Sequence, residues 1–276
     1  MTAAGIPGVE VPAGWTVVGT TRSGPFVTHA TMQRPDGTQV EWSSRAHRKR
    51  LGVRAGASAS SLRIGALFMI GSFCFALGSV PLYFDNVDPS VTAWTFFIGS
   101  IFFTSAAYLQ YKEVLNSPAG PDTTAVTRRG FARWFDWSPR QIDWWATMVQ
   151  LIGTVFFNIT TFAATRDALS FDQEKRLIWA PDVFGSICFL VASWFAFSEV
   201  TPRLFHWQVR TIGWWISALN LLGSIAFGVS AVASRYLTTT EEAANITLVN
   251  LGTFLGAVCF FVGAALLPVE SARGNA

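Results

Sequence analysis

Six stretches of the chain are almost free of charge: Ile64–Phe84, Pro89–Tyr111, Trp144–Thr165, Leu177–Phe197, Thr211–Ser234 and Ala243–Val269. Only Asp182 interrupts them. A helix rises about 1.5 Å per residue, so about 20 residues cross a hydrocarbon core of about 30 Å. All six runs pass that length. A helix of a soluble protein keeps a polar face, and none of these does. The pattern therefore predicts an all-α polytopic membrane protein with six transmembrane helices.

The polar segment ahead of the first run has a different rhythm. Trp15–Thr21, Phe26–Gln33 and Thr38–Ser44 alternate as strands do, and Pro35-Asp36-Gly37 supplies a turn. A small N-terminal β-hairpin or meander is expected there. Residues 55–61 read as a short linker of Ser, Ala and Gly. The first apolar run starts too late for a cleaved secretory signal.

The helical part repeats itself. Phe135-Asp-Trp137-Ser-Pro-Arg140-Gln-Ile142-Asp-Trp144-Trp145 aligns with Phe205-His-Trp207-Gln-Val-Arg210-Thr-Ile212-Gly-Trp214-Trp215 at an offset of 70, without gaps. At the same offset Gln150 meets Asn220, Gly153 meets Gly223 and Phe157 meets Phe227. The returning helices match too: Gly99 to Phe103, Gly185 to Phe189 and Gly256 to Phe260. A glutamate follows each of these glycines by fourteen residues, at Glu113, Glu199 and Glu270. The first helix fits more loosely, with Gly71 and Phe75. The chain thus divides into an N-terminal segment, 1–61, and three tandem two-helix hairpins, 62–114, 135–200 and 205–270. Small residues seven apart on each returning helix predict close helix contacts.

Leu67-Phe-Met-Ile-Gly-Ser-Phe73, a short loop, then Thr95-Phe-Phe-Ile-Gly-Ser-Ile101 resembles the YrhK-like domain, a two-helix bacterial membrane module. The resemblance covers residues 62–114 directly. It implies a fold unit and a membrane location, and no active site.

Composition agrees with the pattern. Of 276 residues 51% are hydrophobic and 13% charged, where soluble domains are about one quarter charged. Charge placement adds an orientation. With the N-terminus cytoplasmic, sixteen Lys and Arg fall on inner segments and four (Arg166, Lys175, Arg176, Arg235) on outer loops. The positive-inside rule then predicts a plasma-membrane protein with both termini cytoplasmic. The basic run Arg45, Arg48, Lys49, Arg50 is expected against anionic lipid headgroups, with no role in binding nucleic acid. Seven tryptophans, Trp134, Trp137, Trp144, Trp145, Trp207, Trp214 and Trp215, are expected in the inner interfacial belt, with Trp94 and Trp179 at the outer one.

Candidate chemistry is sparse. There is no phosphate loop, GxSxG, HExxH or paired-Cys motif, so no enzyme activity, cofactor or metal is expected. Cys74, Cys188 and Cys259 lie in apolar runs, and His29, His47 and His206 lack metal-ligand spacing. Gln150, Asn158 and Asn220 are intramembrane amides, read either as interhelical hydrogen-bonding groups or as a polar lining. Arg140 with Glu199, and Arg210 with Glu270, are expected to pair at the inner end of their hairpins, with a crossed pairing between neighbouring hairpins as the rival. Glu113 has no aligned arginine, which leaves Arg54 or Arg63 to serve it. Two functions follow: a non-enzymatic accessory or scaffold protein, with a membrane protein partner or a second copy, or a channel or facilitator for a small solute.

Overall fold

The computed structural model describes residues 6–49, 58–117, 120–121, 134–166, 169–201, 211–235 and 244–273. Six of its helices are long and apolar enough to cross a bilayer. They are α2 (Ala59–Gly78), α4 (Pro89–Leu115), α5 (Ile142–Ala163), a span from Phe171 to Val200 ending in α7 (Ala180–Val200), α8 (Ile212–Ala233) and α9 (Ile246–Arg273). Short helices α1 (Ser44–Arg48), α3 (Pro81–Phe84) and α6 (Phe171–Glu174) complete the set.

Local chemistry places the ends. Ser58 caps α2 and Asp88 caps α4, each accepting from a first-turn amide. The first apolar run does not form one helix. It breaks at Ser79–Val80, and Pro81 starts α3, because proline fits a first helical turn and cannot continue a preceding one. The fourth span starts earlier than its apolar run, from a capping box of Ser170 and Gln173. It then widens into a π turn at Lys175–Trp179. The Thr160 hydroxyl of α5 donates to the Ile178 carbonyl in that turn, at 3.1 Å.

The N-terminal strands form one antiparallel sheet, β1 (Thr16–Ser23), β2 (Phe26–Gln33) and β3 (Gln39–Ser43), in that order. Gly37 takes a φ of 88° in the β2–β3 turn, a conformation glycine adopts at little cost. Ile6, Trp15, Val27, Ala30, Met32 and Trp42 make the core of this domain.

The long helices contact one another in chain order, α2 to α4 to α5 to α7 to α8 to α9, and α9 returns to α2. Three hairpins, α2/α4, α5/α7 and α8/α9, thus close into a ring. Each hairpin crosses glycine on glycine. A Cβ on Gly71 would lie 2.9 Å from the Gly99 carbonyl oxygen, one on Gly153 3.2 Å from that of Gly185, and one on Gly223 3.0 Å from that of Gly256. Phenylalanine follows each of these six glycines by four residues, on the same helix face. Its ring lies over the glycine of the opposing helix. A Cβ on Gly185 would stand 2.6 Å from Phe157 Cδ2, and one on Gly256 2.7 Å from Phe227 Cδ2.

The six rings meet in the middle of the bundle. Phe75, Phe157 and Phe227 form a triangle with centroids 6.3, 5.9 and 5.8 Å apart. Phe103 and Phe189 each approach Phe260 at 6.0 Å. Hydroxyl pairs join neighbouring hairpins: Ser100 with Thr161 at 2.9 Å between α4 and α5, and Ser193 with Ser224 at 2.7 Å between α7 and α8. The ring closes where Pro268 of α9 frees the Ala264 carbonyl. Gly65 of α2 lies against it, and a Cβ there would come within 2.9 Å of that oxygen.

This packing leaves no room at the seams. Gly185→Ala and Gly256→Ala should each cost about 1–3 kcal/mol by overpacking, read as a lower midpoint of thermal unfolding in detergent. Gly19→Ala, where an added Cβ has nothing within 4 Å, should leave the midpoint in place. Equal effects at all three positions would show that the seams are not the tight contacts.

Candidate functional site, an ionic junction beneath the bundle

The sheet domain docks on the end of the bundle where α4, α7 and α9 finish. Helix α1 follows β3 without a break, and the Ser43 side chain caps it by accepting from the Ala46 amide at 3.2 Å. Arg45, Arg48 and Lys49 stand three and four residues apart, so they share one face. That face meets the returning helices. Arg45 grips Glu270 of α9 with two hydrogen bonds, Nε to Oε1 at 2.7 Å and Nη2 to Oε2 at 3.0 Å. Arg48 reaches Asp143 of α5 at 3.1 Å and Glu199 of α7 at 3.3 Å. Lys49 lies 3.8 Å from Glu113 of α4. The Ser44 hydroxyl also donates to Glu199.

These charges are buried. The Arg48 and Glu199 side chains are 10% and 2% exposed. Burial opposes the charge on Arg48, but Glu199, Asp143 and Glu113 together outweigh it and raise its pKa above the usual arginine value. For Lys49 the balance is opposite. Burial dominates, Glu113 and Glu270 offset only part of it, and its pKa falls. Lys49 is the weakest member of the junction. His29 of β2 also senses it: burial lowers its pKa against the opposing pull of Glu199 and Glu41.

The three glutamates that follow glycine by fourteen residues are therefore served by one short helix outside the membrane runs. This differs from the sequence reading. Glu199 faces Arg48, and Arg140 is exposed and forms no ion pair with it. Glu270 faces Arg45; Arg210 lies outside the described residues. Glu113 faces Lys49, while Arg54 also lies outside them. Arg45, Arg48 and Lys49 meet carboxylates instead of open headgroups, because burial without a counter-charge is far costlier than pairing. Arg50 is outside the described residues. The signal for the junction was present: three aligned carboxylates, and a basic run spaced for one helical face.

Neighbouring positions make room for it. Gly213 occupies the place in α8 that Asp143 occupies in α5. A Cβ there would lie 2.6 Å from Glu270 Oε1 and 2.9 Å from Arg45 Nε. The tryptophans are divided between two uses. Trp137, Trp215 and Trp94 are exposed, as a belt requires. Trp144 is 1% exposed and donates its indole N–H to the Asp136 carbonyl at 2.8 Å, so it belongs to the core. Trp214 is buried as well, and Trp207 is outside the described residues.

Two of the three intramembrane amides come together. Gln150 and Asn220 line one small cavity with Gln110, Phe68 and Phe260. It offers about 10 Å³ to the centre of a water molecule, room for about one. Asn158 does not line it, and its Oδ1 is buried without a hydrogen-bond partner among the described residues. Gln110 was not anticipated: it sits in the last third of α4 and has no aligned amide in the other hairpins. Among the described residues no group of three or more His, Cys, Asp or Glu is arranged to hold a metal ion.

Comparison with protein-family models, with curated proteins and with solved structures finds no match for this chain.

Removing one partner of a buried pair leaves the other uncompensated. Arg45→Ala should therefore destabilise the protein by about 3–5 kcal/mol. Arg45→Ala combined with Glu270→Ala should recover part of the loss, giving a coupling energy of about 1 kcal/mol or more in a double-mutant cycle. Strictly additive losses in chemical denaturation would rule the pair out.

Proposed function

We propose that the protein is a non-enzymatic scaffold of the plasma membrane, which holds its N-terminal sheet domain at the cytoplasmic face for a membrane protein partner or a second copy. The phenylalanine layer carries this reading. Six rings fill the middle of the ring of helices, where a conducting protein needs space or polar groups. The ionic junction adds to it, since buried pairs fix the sheet domain on the bundle. The excess of Lys and Arg on the sheet side supports a cytoplasmic location for that end. The three glycine-crossed hairpins read as copies of one YrhK-like unit, joined in tandem.

The channel reading rests on Gln110, Gln150 and Asn220. Their cavity has room for about one water molecule, and the phenylalanine layer lies beyond it. Reconstitution in liposomes separates the two functions. Passage of small neutral solutes, read by osmotic swelling, should equal that of empty liposomes. Passage above that level, abolished by Gln150→Leu with Asn220→Leu at unchanged expression, would replace the scaffold with a facilitator.

A further inference from the structure

A cleft remains between the sheet domain and the bundle, beside the ionic junction. Gly8 of the N-terminal coil, Trp42 of β3, His47 and Arg48 of α1, and Arg140 and Asp143 at the start of α5 line it. It opens to solvent, and its enclosed part has room for about two water molecules. Trp42 is 9% exposed, and its indole N–H is buried with no hydrogen-bond partner among the described residues. Indole nitrogen is a donor only, so what it lacks is an acceptor. A buried donor left unpaired in a folded protein calls for an explanation outside the chain's own hydrogen bonds.

Two further features point the same way. Arg140 stands at the cleft, exposed, with no carboxylate in ion-pair contact among the described residues. Helix α5 also opens there, and the side chain of its N-cap residue does not cap it. The Gln141 amide donates to the Gly8 carbonyl instead, at 3.3 Å. First-turn N–H groups have no partner within a helix and favour an anion. The one carboxylate on the wall is already engaged: Asp143 Oδ2 lies 3.1 Å from Arg48, and Oδ1 accepts from the Trp144 amide at 2.9 Å. Arg48 also serves Glu199, so it offsets only part of the Asp143 charge.

We infer that this cleft binds a phosphate group, held by the Trp42 indole N–H, the Arg140 guanidinium and the first-turn N–H groups of Ile142 and Asp143. Donors from β3 and from the start of α5 suit an oxyanion with several acceptor oxygens. The cleft lies beside the tryptophans Trp137, Trp144 and Trp145, which cluster edge to face at the start of α5. At that level the phosphate can belong to a lipid headgroup or be free in solution.

The test uses the full chain in detergent. Inorganic phosphate, added at constant ionic strength, should raise the unfolding midpoint in a saturable way, and chloride should not. Arg140→Gln should weaken the apparent phosphate affinity by about tenfold or more, as loss of a charge-assisted hydrogen bond does. Trp42→Phe should weaken it as well. If Trp42→Phe fails to fold, Arg140→Gln decides alone, because Arg140 is exposed and unpaired. Native mass spectrometry then identifies the source. One retained phosphatidylglycerol, lost in Arg140→Gln, assigns the site to a lipid headgroup; a phosphate response without retained lipid assigns it to free phosphate. Equal shifts with phosphate and chloride, or a phosphate response and lipid retention that Arg140→Gln leaves unchanged, would overturn the proposal and leave the cleft to water.

Discussion

Helices in a bilayer gain little from hiding apolar surface, because lipid is as apolar as leucine. They associate through close contact, and the distance of approach is set by whatever side chains lie between the backbones. In this protein that constraint is met by glycine on both helices at all three hairpin crossings. The rest of the architecture follows from it. Backbones that approach this closely bring the phenylalanine one turn along each helix over the opposing glycine. Six such rings then reach a common centre, where most pairs pack edge to face or tilted and Phe157 stacks on Phe189. The centre of the bundle is filled by the same side chains that set its width.

The ionic junction answers a different need. The sheet domain is small, and its core of six buried residues is a modest base for a separate unit. Tying it to three returning helices makes its position depend on the bundle. Buried ion pairs are a costly way to gain stability, since desolvation offsets much of the attraction. They give geometry instead: Arg45 reads both oxygens of Glu270, Arg48 spans two helices, and only one docking of α1 satisfies all of them. The same logic explains Gly213, whose missing side chain is the space that the Arg45–Glu270 pair occupies.

Much of this was legible in the chain, at the level of elements. The apolar runs located all six long helices, and alternation located the three strands to within a few residues. The glycine and phenylalanine positions were legible because an internal alignment can reveal a spacing kept from one hairpin to the next. Pairings between distant segments were not. Arg140 was the expected partner of Glu199, but the fold brings Arg48 there; the aligned carboxylates and the spacing of the basic run mark the groups, and not which of them meet. Trp144 and Trp137 look alike as boundary tryptophans, yet one is enclosed by its neighbours and the other is not. Closure of α2 on α9 was equally hidden, since it depends on a proline that frees one carbonyl and a glycine that lets the partner helix reach it.

Ring closure is what distinguishes a filled, self-contained bundle from a row of three hairpins, and it can be measured directly. Spin labels at Leu62 of α2 and Val269 of α9, both exposed and near the same end of the bundle, report the separation of the first and last spans by pulsed electron paramagnetic resonance. Packed helices lie about 8–10 Å apart, so closure predicts a distance below about 25 Å once label length is included. A row of six helices would put five such steps between the labels, about 40–50 Å, and a distribution centred there would contradict the account.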